Sequence, residues 1–172
     1  MKTKNLFKTG LMSCLLVLSI SGFAQTKNIV ETAVGSEVHT TLVAAVKAAD
    51  LVGVLSSDGP FTVFAPTNMA FAKLPEGTVE SLLKAENIET LKSILTYHVV
   101  AGKFMAADVI GLINKNNGKA MIPTVNGGNL IATLNAGSVY ITDANGNSAK
   151  VIAADLDNTN GAIHVVDTVL LP

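Results

Sequence analysis

The chain has 172 residues, of which 12 are lysine, none arginine, none tryptophan and 13 acidic, for a net charge of −1. Arginine supplies the planar fork that reads guanine and phosphate, so its absence from an acidic chain argues against nucleic acid as a partner. With two tyrosines and no tryptophan, stacking platforms for bases or sugars are scarce.

In chain order, Lys2, Lys4 and Lys8 form a positive patch, residues 11–20 an apolar run, and "SGFAQ" follows with Gly22 and Ala24. Positive end, short apolar core and small residues predict a secretory signal peptide over residues 1–24, cleaved near Ala24. The run is too short for a membrane span, so no membrane insertion is expected after cleavage. Cys14 sits near the start of that run, so acylation is not expected there and the mature chain has no cysteine. What remains, residues 25–172, has nine lysines against 13 acids, a net charge of −4. A single domain of this length buries roughly 68–70% of its unfolded surface, enough for a core without disulfides.

The mature chain changes character midway. In residues 40–55, Leu42, Ala45, Val46, Ala49 and Val52 recur at helical spacing, and Thr40 or Thr41 can cap the start. Gly59-Pro60 interrupts, and "FTVFA" then reads as a strand stopped by Pro66. Thr67 is the N-cap candidate of a short helix through Phe71. Helices are expected over residues 77–84, 88–98 and across "AADVIGLI". From about Lys119 onward, five strand-like runs alternate with turn signals at residues 116–118, 126–128, 135–137, 145–147 and 159–161. Pro123 places its strand at an edge or a bulge. The fold class is α+β, a helical layer beside an antiparallel, sandwich-like sheet.

Catalytic patterns are weak. No nucleophile elbow occurs; the nearest serine context, "GNSAK", follows a hairpin turn. His39, His98 and His164 lie about sixty residues apart, without the spacing of a metal site. "DANGN" at residues 143–147 resembles the start of a calcium loop, but Ser148 and Ala154 stand where Gly and Glu are required. Asp155 and Asp157 alternate with Leu156, as solvated acids near a strand end do. His98 ends an apolar helical stripe with Ile88, Leu91 and Leu95, the position of a hydrogen-bonded core histidine. In the closing stretch "TNGAIHVVDTVLLP", His164 and Asp167 point to opposite faces of a strand that is apolar on both sides. They cannot form a simple catalytic pair, and each is expected to be hydrogen-bonded locally. A side chain left partnerless, or open at the floor of a pocket, would contradict that expectation.

Three segments together resemble the fasciclin (FAS1) domain. They are "FTVFAPTNMAF" at residues 61–71, Tyr97-His98 at a helix end, and "NGAIHVVDTVLLP" at residues 160–172. Order and spacing agree across nearly all of the mature chain. Met69 departs from a position that is often acidic in the family. The resemblance implies a wedge-like β-sandwich with helices packed against it, and a secreted, non-enzymatic adhesion or interaction module. Its structural positions fall on Thr62, Phe64, Pro66, Thr67, Asn68, Phe71, Gly161, His164, Val165 and Asp167. Integrin recognition in animal matrix members has been attributed to an Asp-Ile pair, which Asp155-Leu156 matches here. A second proposed adhesive region surrounds Tyr97 and His98 with the apolar residues after them. The expected partner is a cell-surface or matrix protein or polysaccharide, with no cofactor and no metal. The alternative the resemblance allows is a carrier of a small apolar ligand such as a carotenoid or lipid. A hydrolase built on Asp155 and His164 is the distant third.

Overall fold

The computed structural model describes residues 27–172; the expected signal peptide and Cys14 lie outside them. The chain is α+β. Helices α1 (Ile29–Val34), α2 (Thr40–Ala48), α3 (Val52–Leu55), α4 (Asn68–Ala72), α5 (Thr78–Leu82), α6 (Ile88–Tyr97) and α7 (Ala106–Lys115) surround one sheet. Its strands are β1 (Phe61–Pro66), β2 (Val99–Ala101), β3 (Lys119–Pro123), β4 (Asn129–Asn135), β5 (Ser138–Thr142), β6 (Ser148–Asn158) and β7 (Gly161–Val166), in the order β2-β1-β7-β6-β5-β4-β3. The end of β3 returns to β2, where the Val125 N–H donates to the Val99 carbonyl at 2.8 Å, so the sheet nearly closes into a barrel.

Most of the sheet is the expected meander. Ala136 and Gly137 both have positive φ and join β4 to β5 as a two-residue turn, which matches the right-handed twist of the strands. Pro123 lies on β3, an end strand, as its missing N–H requires. One pairing departs from the antiparallel expectation: β1 and β7 run parallel, from Phe61↔Gly161 to Pro66↔Val166. A Cβ on Gly161 would lie 1.9 Å from the Phe61 carbonyl oxygen, so only glycine fits where this pairing begins.

Three local expectations change. The helix read over residues 40–55 breaks into α2 and α3. Asp50 adopts φ 54°, its N–H donates to the Lys47 carbonyl and the Leu51 N–H to the Val46 carbonyl, which is a Schellman stop built on aspartate rather than glycine. Nor do Thr40 or Thr41 cap α2 with their side chains; Asn68 does so from afar, its Oδ1 accepting from the Thr41 N–H at 3.0 Å. The signal at residues 116–118 ends α7 and is no hairpin: the Gly118 N–H donates to the Ile113 carbonyl.

Alternation along β1 and β7 separates two cores. Val63, Ala65, Ile163 and Val165 face the helical layer with Leu42, Leu91 and Leu95. Phe64 and Val166 face the barrel interior with Ile113, Leu130 and Ile141. All six residues of β7 are buried, the two-sided cover that its apolar run foretells. Burial of this kind contributes roughly 25 cal/mol per Å² of apolar surface and is the main force holding the layers together.

Candidate functional site

The closing stretch is a lock. His98, at the C-cap of α6, is 2% exposed. Its Nδ1 lies 2.8 Å from the Ile94 carbonyl and its Nε2 accepts from the Leu170 N–H at 3.0 Å. The two contacts define one neutral tautomer, with the proton on Nδ1. Complete desolvation lowers the His98 pKa to about 4, against the opposing pull of the Ile94 carbonyl and the Asp143 charge. Asp143, which opens the calcium-like stretch, accepts from the N–H groups of Asn145 and Asn147 through Oδ1, and from the Asn147 amide and the Leu171 N–H through Oδ2. Its carboxylate therefore serves the β5–β6 turn and the C-terminal strap, as the hairpin reading requires.

Tyr97, 1% exposed, donates to the Asn129 carbonyl at 2.9 Å and accepts from the Ala144 N–H at 3.0 Å. Gly128 lies under its ring; a Cβ there would meet the ring at 2.7 Å. The structure corrects the expectation of an adhesive contact at Tyr97 and His98. Both side chains lie inside the protein, where they join α6 to β4, the β5–β6 turn and the C-terminal strap, and they offer no surface to a partner.

His164 and Asp167 behave as local structural groups. The His164 Nε2–H donates to the Phe104 carbonyl at 2.7 Å, its Nδ1 receives a longer contact of 3.4 Å from the Asp155 N–H, and its ring stacks on Phe64 with centroids 5.7 Å apart. Its ring nevertheless lines the floor of a cavity, so the expectation holds for its partners and fails for its placement. Asp167 lies one residue beyond β7. Burial alone would raise its pKa, but the Lys150 N–H at 2.9 Å, the Thr168 hydroxyl and the Lys73 ammonium together hold it below its ordinary value. Thr62, Pro66, Thr67, Phe71 and Val165 are buried. The Thr62 hydroxyl donates to the Gly102 carbonyl and accepts from the Phe104 N–H. Thr67 caps α4 through the Ala70 N–H, and Phe71 and Val165 are core. Pro66 is fully buried.

What reaches the surface is the second half of β6. Two irregularities in its pairing with β7 insert extra residues between Val151 and Ala153 and between Ala153 and Leu156. Such bulges re-aim side chains and end regular pairing. Residues 152–157 are all exposed, with Ile152 at 53% and Leu156 at 39%. Asp155 sits in the bulge at φ 60°, an uncommon conformation for a residue with a Cβ. Its carboxylate accepts from the Ala106 N–H, 2.6 Å away, in the first turn of α7, where the helix dipole favours a negative charge. The acid thus fixes the segment to α7. Its backbone N–H, not its carboxylate, meets His164, so the two form no acid–base dyad. Asp157 pairs with Lys103. Among the described residues no group of three or more His, Cys, Asp or Glu could hold a metal ion.

The sequence marked Asn160 only through the turn signal at residues 159–161 and as the first residue of the closing segment. Asn160 is 6% exposed; its Oδ1 accepts from the Ile29 N–H and its amide donates to the Leu55 and Ser57 carbonyls. It joins α1, α3 and the start of β7 at one point. The Asn-Gly signal at residues 159–161 marked the place but not these partners, which lie more than 100 residues away.

A Fasciclin domain family model matches residues 37–172. Protein sll1483 of Synechocystis is 51% identical over 157 residues, which cover 91% of this chain and 79% of that protein. The immunogenic protein MPB70 of Mycobacterium bovis is 36% identical over 159 residues, covering 90% and 73%. A solved FAS1 domain pair from the insect cell adhesion molecule Fasciclin I superposes with a TM-score of 0.76 at 21% identity, covering 86% of this chain; the chain spans about half (52%) of that one, and the likeness is one of fold. The chain therefore belongs to the Fasciclin domain family, whose adhesion-related, non-enzymatic character frames the reading of its exposed segment.

Proposed function

We propose that this protein is an exported, non-enzymatic interaction module. It binds a cell-surface or matrix protein or polysaccharide through residues 152–157. The observation that carries the reading is the exposure of Ile152 and Leu156 on a doubly bulged strand whose backbone is anchored by the Asp155–Ala106 contact. Apolar side chains presented on a rigid frame bind with little ordering entropy. In this reading Asp155 positions the segment and Leu156 makes contact, so the Asp-Leu pair has divided roles. Membership in an adhesion-related family supports it, as does the description of its structural neighbour as an adhesion molecule. The Lys-rich start and short apolar run of residues 1–20 support export.

The apolar cavities are too small for the carrier of a carotenoid or lipid, and the larger hollow along α7, about 410 Å³, is edged by the charged side chains of Lys103, Asp108 and Lys115. The apolar cavity between α1, α2, α3 and the sheet measures about 40 Å³ and the one at the β5–β6 gap about 210 Å³. Pockets for drug-sized ligands measure roughly 300–1,000 Å³. The test is retention of the purified domain on immobilised envelope and matrix fractions, each repeated after protease or glycosidase treatment. Saturable retention abolished by one of these treatments supports the reading and names the partner class. Absence of retention on every fraction refutes it.

A further inference from the structure

β5 and β6 pair only from Tyr140↔Lys150 to Thr142↔Ser148, although β5 begins at Ser138 and β6 runs on to Asn158. Where they part, the barrel wall opens. A cavity of about 210 Å³ fills the gap, with Phe64 and His164 at its floor and Ile110, Val139 and Val151 on its sides. We propose that this gap is a binding site for a small neutral molecule the size of one ring, largely apolar and carrying a single hydrogen-bonding group.

Size, charge and polarity each narrow the class. An apolar cavity of about 150 Å³ holds benzene, so this volume takes a ring with one substituent. No lining side chain carries a carboxylate, an ammonium or a guanidinium. Both nitrogens of His164 already have backbone partners. An ion would therefore enter without a counter-charge and lose its hydration. One polar side chain is free to meet a ligand: Ser138 lines the wall, and its hydroxyl makes no hydrogen bond among the described residues. A hydroxyl both donates and accepts, so it can hold a phenol, an alcohol or a ketone. The proposal rests on the cavity and not on the exposed side chains of Ile152 and Leu156, and it shares only Ala154 with the adhesive segment.

The experiment is a titration of the isotope-labelled protein with phenol, with toluene and with benzoate, followed by amide chemical shifts at pH 7. Ala154 is exposed at the mouth of the cavity, so Ala154→Phe closes it without disturbing a core. Phenol is expected to shift amides around residues 106–110, 137–139 and 151–154 saturably. The expected dissociation constant is about 1 mM, within ordinary efficiency for roughly seven heavy atoms. Benzoate is expected to leave those amides unmoved. Ala154→Phe should weaken phenol at least tenfold, and Ser138→Ala should bring phenol down to the affinity of toluene. The proposal is overturned by phenol shifts that do not saturate, by equal binding of benzoate, or by undiminished binding to Ala154→Phe.

Discussion

Replacing His98 by glutamine removes a titrating group from the lock without removing its polarity, and the consequence is a change in how stability depends on pH. In the folded protein the imidazole is neutral, donating to Ile94 and accepting from Leu170, and burial lowers its pKa from 6.5 to about 4. The unfolded chain binds this proton at about pH 6.5, so between the two values the unfolded state holds more protons and stability rises with pH. The contribution is complete above pH 6.5 and is lost as pH falls toward 4. At one unit to 1.36 kcal/mol, the whole shift corresponds to about 3 kcal/mol, of which about 2 kcal/mol falls between pH 7 and pH 5. For a domain of this size that is a drop of about 6 °C in Tm. His39, also lowered by burial, adds in the same direction in both proteins and cancels in the comparison. Urea denaturation of wild type and His98→Gln at the two pH values is the assay. The variant should be less stable at pH 7, yet the wild type should lose about 2 kcal/mol more than the variant on going to pH 5. Equal losses in the two proteins would refute the assignment of a buried neutral imidazole in the lock.

Asn160→Ala leaves the Ile29 N–H and the Leu55 and Ser57 carbonyls without their side-chain partner. At roughly 1–3 kcal/mol per buried unsatisfied group, a loss of about 3–5 kcal/mol is expected by denaturation, and a loss below 1 kcal/mol would show that water replaces the amide freely. Asp155→Ala removes the carboxylate that caps α7, with an expected cost of about 1 kcal/mol. Amide exchange should quicken in the first turn of α7 and around residues 152–157, and unchanged exchange there would separate Asp155 from the segment it is held to anchor.

Legibility followed the range of the interactions. Thr67 as a cap, the hairpin turns and the two-sided burial of β7 rest on neighbours a few residues apart, and the sequence shows them directly. The apolar stripe ending at His98 likewise marked a core histidine, and its ring nitrogens are bonded as that reading requires. The parallel pairing of β1 with β7 joins residues 100 apart, and periodicity carries no trace of it. The stop at Asp50 escaped notice because it uses aspartate at a position where glycine is the usual signal. The adhesive expectation at Tyr97 and His98 came from resemblance alone and yields to their burial. Asp155 read as a solvated or an adhesive acid, and its anchoring role did not show, because its partner, the Ala106 N–H, lies 49 residues away. The gap between β5 and β6 had no sequence signal at all, since it arises where the pairing of two continuous strands stops.

The most direct measurement of the central claim is the affinity of the double variant Ile152→Ser, Leu156→Ser for whichever envelope or matrix fraction retains the wild-type protein. Both side chains are substantially exposed, so the melting temperature should fall by only a few degrees, as about 1 kcal/mol of lost packing implies. Affinity should fall at least tenfold, the mark of a contact worth 1.4 kcal/mol or more. An unchanged affinity in a folded double variant would place the binding surface elsewhere and contradict the account.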